Sequence, residues 1–246
     1  LGAGALPQPQ ARQRPAAGMG HVRLLAVCGL EREAAIVGGP GIVTIAAGGR
    51  SMALADRIER EATTNGVAGL ISIGVAGALD PVLGIGDVVV ATEVFFDGRR
   101  MPTDAAWTHS LAALLPQARA GGLAGAADVV ASADGKAALR QATGAIAVDM
   151  ESHSAAAAAA RLGLPFAAAR FISDRASDVM PPAARVAMRA DGGIALGAII
   201  ASLARDPRQL PALMRLGRDS EAAFRALRRG RGLLGPTLGF PEVQRL

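Results

Sequence analysis

Short apolar runs alternate with amphipathic stretches along the chain, and that rhythm predicts strands alternating with helices. Val22 to Cys28 is an apolar run of strand length, followed by a polar turn with Glu31, Arg32 and Glu33. Gly41 to Ala46 reads as a second strand, ending at Gly48-Gly49-Arg50. From Ser51 to Thr63, Leu54, Ile58 and Ala62 recur at four-residue spacing while Asp56, Glu59 and Arg60 lie on other faces, which predicts a helix. Gly69 to Val75 and Asp87 to Val94 read as strands, separated by turn signals at Asp80-Pro81 and Gly84 to Gly86. Asp97 to Asp104 is polar and loop-like, Trp107 to Leu115 a short helix, and Asp128 to Ser132 and Ala145 to Val148 short strands. Asp149 to Leu162 reads as a strong helix, stopped by Gly163 and Pro165. Phe166 to Ile172 is the last central strand, leading into Ser173-Asp174. Helices at Ala183 to Ala204 and Pro207 to Arg229 follow, broken at Asp206-Pro207.

This alternation predicts a single-domain α/β protein, a three-layer α/β/α sandwich around a mixed, largely parallel sheet. The expected domain spans 21–235, after a Pro-, Gln-, Gly- and Ala-rich leader (1–20) expected to be disordered and before a short tail (236–246). A length of 246 residues suits one such domain. The leader lacks the apolar centre of a signal peptide, and no apolar run reaches the ~18 residues of a membrane span. The expected location is cytoplasmic, with any membrane contact peripheral. A lone cysteine, Cys28, excludes an intrachain disulfide.

The net charge of +5 would by itself suggest nucleic acid or an anionic surface. Composition changes that picture. Lys136 is the only lysine, alanine and glycine are abundant and tyrosine is absent, the mark of a GC-rich coding sequence, so no nucleic-acid partner is expected. Arg225, Arg228, Arg229 and Arg231 read either as a solvated face or as a binding patch.

Candidate chemistry gathers at the C-terminal ends of the expected strands, the edge where open parallel sheets bind ligands. Glu33 follows the first strand, as a solvated carboxylate of a helix's first turn or as a functional acid. Gly48-Gly49-Arg50 opens a helix and offers backbone amides and a guanidinium to an anion, or is a plain turn. The glycines of Gly74-Val75-Ala76-Gly77 allow close backbone approach to a ligand or tight helix–sheet packing. Asp149-Met150-Glu151 and Ser173-Asp174 put carboxylates at the borders of very apolar elements, as caps or as catalysts. No Walker loop or metal-ligand spacing is present, and His153 reads as structural.

Three segments together resemble the purine/uridine phosphorylase superfamily: Ile71 to Pro81 continuing through Leu83 to Val90, Ala147 to Ser152, and Arg170 to Asp174. The resemblance covers Val22 to Ala204. Within the superfamily, Val148 to His153 and Leu79 to Pro81 look like the hopanoid-associated branch. Methylthioadenosine/S-adenosylhomocysteine nucleosidases share much of the pattern.

The resemblance implies an enzyme that cleaves the N-glycosidic bond of a purine nucleoside, with phosphorolytic release of adenine from adenosylhopane as the expected reaction. Hydrolysis of a soluble thioadenosine, or purine binding without turnover, are the alternatives. It implies Asp174 as the acid at purine N7, Glu33 as the residue orienting attacking water in the hydrolases, Glu151 on the ribose hydroxyls and Met150 beneath the sugar. Val75, Ala76, Gly77 and Ser173 would line the substrate pocket, and Gly49 and Arg50 would hold phosphate. The nucleosidases carry serine or threonine where this chain has Val75, so one hydroxyl contact is lost. No cofactor is expected beyond inorganic phosphate as co-substrate. The expected partners are a small-molecule or lipid-linked purine nucleoside and further copies of the chain in a homo-oligomer.

Overall fold

The computed structural model describes residues 22–47, 54–185, 201–202 and 204–241. The expected leader, Gly48-Gly49-Arg50, the start of the helix expected at Ser51 and most of the helix expected at Ala183 to Ala204 lie outside the described residues. The strands are β1 (Leu24–Cys28), β2 (Ile42–Ala46), β3 (Gly69–Ala78), β4 (Val88–Phe96), β5 (Arg99–Pro102), β6 (Arg119–Gly125), β7 (Ala147–Asp149) and β8 (Phe166–Asp174). Among the described residues the helices include α1 (Glu31–Val37), α2 (Leu54–Asn65), α3 (Ala105–Leu114), α4 (Ala133–Thr143), α5 (Ser152–Leu162), α6 (Pro182–Arg185) and α7 (Leu210–Leu234).

Among the described residues the strands form one eight-stranded mixed sheet. Parallel pairs β1–β2, β1–β3, β3–β8, β4–β6 and β6–β7 outnumber antiparallel pairs β3–β7, β4–β5 and β4–β8. The sheet curls until β3, β8, β4, β6 and β7 bond in a closed circuit, with β1 and β2 extending from β3 and β5 from β4. Helices cover it on two sides. Leu54, Ile58 and Ala62 of α2 and the alanines of α5 fill one core. Val37 of α1, Trp107 and Leu111 of α3, and Phe224, Leu227 and Leu234 of α7 fill the other. Both belong to one domain with the predicted α/β layering.

Four local expectations are corrected. The polar turn after β1 is a helix, because the Glu33 carboxylate accepts the Leu30 N–H and caps its first turn. The polar segment Asp97 to Asp104 contains β5, hairpinned to β4 through Asp97 and Gly98. Both turn residues have positive φ, 49° and 71°, the geometry that suits a right-twisted hairpin. Asp128 to Ser132 is not a strand. The strand lies earlier, at β6, where Gly121 and Gly122 dilute the β signal. A Cβ on either would come within 2.5 Å of Ile146 or Phe95. Finally, the helix expected from Asp149 starts at Ser152, since Asp149 ends β7 and accepts the Ser152 N–H at 3.0 Å.

Packing continues beyond residue 235. Trp107 Nε1 donates to the Leu238 carbonyl at 3.0 Å, and the Phe240 ring meets Trp107 edge-on at 4.8 Å.

Candidate active site

The C-terminal ends of β1, β3, β7 and β8 converge, and each delivers a carboxylate or the space for one. Glu33 stands in the first turn of α1 and is buried, 1% exposed, so the solvated reading is overturned. Its Oε2 accepts the N–H groups of Gly29 (2.7 Å) and Leu30 (2.9 Å), and Oε1 accepts that of Val75 (2.7 Å). These bonds anchor α1 to the end of β3. The close approach requires Gly74: a Cβ there would sit 2.7 Å from the Glu33 carboxyl.

Asp174 owes its direction to an irregularity. β3 and β8 run in register from Leu70↔Phe166 to Ala76↔Ile172, and then Gly77 pairs with Asp174. Ser173 is the extra residue, and a bulge of this kind re-aims the next side chain. Because strand side chains alternate, without the bulge Asp174 would point to the other face. Ser173 Oγ lies 3.2 Å from the Ala76 carbonyl and 3.0 Å from Asp174 Oδ1, with one hydrogen to give. Gly77 leaves room for the carboxylate, whose Oδ2 would lie 3.0 Å from a Cβ there.

Glu151 occupies the N-cap of α5 and is buried. Beneath it lies Arg170, wholly buried on β8 and ion-paired with Asp149, with Glu151 Oε2 at 3.9 Å. Arg170 Nη2 also donates to the Ser72 and Ser152 hydroxyls, the latter at 3.1 Å. Asp149, Glu151 and Glu33 thus share one guanidinium. Burial pushes Glu151 up to about 8, Asp149 and Glu33 push the same way, and Arg170 opposes them. Burial also raises Glu33, against Arg170 and its three backbone N–H donors.

One cavity of about 140 Å³ is lined by Glu33, Val75, Ala76, Gly77, Met150, Glu151 and Asp174. The structure therefore brings together seven of the sequence-expected site residues. Ser173 lies behind Asp174 as its hydrogen-bond neighbour. Gly49 and Arg50 lie outside the described residues. Val129 and Val130 form a further wall from the loop before α4, closed by a bond from the Met180 N–H to the Ala131 carbonyl. His153 points away, stacked on Phe96 at 3.9 Å, and burial lowers its pKa. No cluster of three or more His, Cys, Asp or Glu fit to hold a metal occurs among the described residues, and no described helix is long and apolar enough to cross a membrane.

Sequence reasoning missed two residues here. Arg170 is visible there only as part of a motif, although an arginine inside an apolar strand must find buried acids. Lys136 stands out only as the sole lysine. Its side chain, 3% exposed, lines the cavity and is ion-paired with Asp174.

The family model described as "Phosphorylase superfamily" matches residues 36–203, more than half of the chain. No curated protein sequence matches it. Among solved structures, it is similar to an S-adenosylhomocysteine nucleosidase from Streptococcus pyogenes in complex with 5-methylthiotubericidin. There the TM-score is 0.63 at 16% identity, covering 92% of this chain and 100% of that one. A futalosine hydrolase mutant of Helicobacter pylori aligns with TM-score 0.61 at 15% identity, covering 86% and 99%. A Campylobacter jejuni 5′-methylthioadenosine/S-adenosyl homocysteine nucleosidase aligns with TM-score 0.58 at 17% identity, covering 85% and 100%. At such identities these likenesses speak to the fold alone. The extent of the family match adds what they cannot: the chain belongs to the phosphorylase superfamily, as an enzyme of the nucleoside phosphorylase/nucleosidase kind.

Proposed function

We propose that this protein cleaves the N-glycosidic bond of a purine nucleoside and releases adenine, with Asp174 at the base and Glu151 at the sugar. The observation that carries this reading is the shared cavity, where both carboxylates and Glu33 meet although they come from distant parts of the chain. Breaking the ribosyl–adenine bond moves the bonding electrons onto the base and leaves positive charge on the sugar. Asp174, ion-paired with Lys136 in the free site, would take up a proton as the nucleoside binds and share it with N7, an assistance typically worth about 10² to 10⁴ in rate. Glu151, crowded by Asp149 and Glu33, faces the opposite demand. Glu151 would give up its proton to solvent as the nucleoside binds, and positive charge growing on the sugar offsets what makes that ionisation costly, so the stabilisation is larger in the transition state than in the ground state. Met150 would pack beneath the ribose, with Val75, Ala76 and Gly77 along its side.

The nucleophile divides two readings. The burial and raised pKa of Glu33 support water, since a carboxylate poised nearer neutrality is a better general base. Its three backbone donors fix the side chain for that task. The second reading is phosphorolysis, with adenosylhopane as substrate and phosphate held at Gly49 and Arg50. The motif forms at Val148 to His153 and Leu79 to Pro81 favour it. In that reading a lipid-linked substrate brings the enzyme to a membrane surface, and copies of the chain assemble to complete each pocket. Adenine release measured with and without phosphate separates the two. Full activity without phosphate sinks phosphorolysis; strict phosphate dependence sinks hydrolysis. Adenine release by Asp174→Asn as fast as the parent would remove Asp174 from the chemistry.

A further inference from the structure

We infer that Lys136 is a positioning residue for base release, acting through Asp174; this rests on the reading of Asp174 given above. Lysine ammonium has three donors, and here each has an oxygen: Asp174 Oδ2, the Arg175 carbonyl at 2.6 Å and the Asp178 carbonyl at 3.3 Å. The last two belong to the turn after β8, which the Arg175 N–H closes by donating to Asp178 Oδ2 at 2.8 Å. One nitrogen therefore ties the acid to the turn that follows it, on the wall of the cavity.

Two features say that the position serves the site and not the helix. Lys136 stands in the first turn of α4, just after the Ser132 cap, where the helix dipole disfavours a cation. It is also buried, 2% exposed, in a chain whose other basic residues, histidines aside, are all arginine. A planar guanidinium cannot direct donors at three oxygens arranged around one point, whereas an ammonium can. The ion pair holds Oδ2 and gives Asp174 a fixed outlook on the cavity.

The test is a double-mutant cycle on adenine release from adenosine and 5′-methylthioadenosine with inorganic phosphate present, using the parent, Lys136→Met, Asp174→Asn and the double variant. Melting curves and the folded fraction are recorded for each. Lys136→Met is expected to lower kcat by about 10²-fold, inside the range of acid assistance, with KM changing far less. In the Asp174→Asn background the same substitution should change kcat little, because the group it serves is already disabled. A merely structural role would reduce both backgrounds alike. Lys136→Arg, which keeps the charge but not the three-way geometry, should fall between parent and Lys136→Met. If Lys136→Met turns over like the parent, or its loss persists undiminished without Asp174, the inference is overturned while the Asp174 reading stands. If Asp174→Asn itself is unimpaired, or the parent releases no adenine, the reading beneath it fails instead.

Discussion

The two halves of the cavity treat their acids differently. On one side Asp174 has a cation of its own, an ammonium pinned by two carbonyls. On the other, Glu33, Asp149 and Glu151 compete for the single guanidinium of Arg170, wholly inside the protein. The first half is balanced in charge and the second is short of positive charge. Under the proposed function that difference is what bond cleavage would ask of each half, since the base departs with excess electrons and the sugar is left deficient. A site built with two equivalent acids would serve neither end.

The sharpest way to break this comparison is Asp174→Asn, which should lower kcat/KM by about 10² to 10⁴ if the balanced half supplies acid assistance. An assay of adenine release checks it. Arg170→Met attacks the other half. Removing the shared guanidinium leaves buried carboxylates without a partner, and loss of one member of a buried pair costs roughly 3–5 kcal/mol. Denaturant unfolding should show it, and a variant as stable as the parent would mean that Arg170 holds nothing together. The pH dependence of stability gives a smaller, graded effect. Glu151 carries its proton in the folded state up to about 8, above its ordinary 4.5. Its contribution to stability is therefore full below 4.5, declines as pH rises, and is gone above about 8. Melting temperature should fall across that interval more steeply in the parent than in Glu151→Gln; equal slopes would exclude a perturbed Glu151. The smallest effect belongs to His153→Phe, which keeps the stack on Phe96 and should leave kcat/KM unchanged.

Much of this was legible in the sequence because the strands end in unusual places. Ile71 to Gly77 and Arg170 to Asp174 are largely apolar runs that stop at glycine or polar residues, a contrast that points to this edge but leaves the carboxylates readable as caps, so that only the resemblance of the motifs to the superfamily singled them out. What stayed hidden had physical causes. β6 contains glycines that allow close packing against Ile146 and Phe95, so its β character is weak locally and strong only in the sheet. The hairpin at Asp97-Gly98 carried an Asp-Gly turn signal, masked by the charged strand after it. The bulge at Ser173 is a property of pairing between strands far apart in the chain, and no local pattern encodes it. The partner of Asp174 was equally remote, since Lys136 lies 38 residues away on a helix that the periodicity did not reveal.

The circular bonding of β3, β8, β4, β6 and β7 has a consequence for how this enzyme fails. A strand with neighbours on both flanks has no edge from which to peel, so the amides of β3 and β8 should exchange with deuterium only when the whole molecule opens. Heat should then abolish turnover and native structure at one and the same temperature, with no inactive but folded species in between.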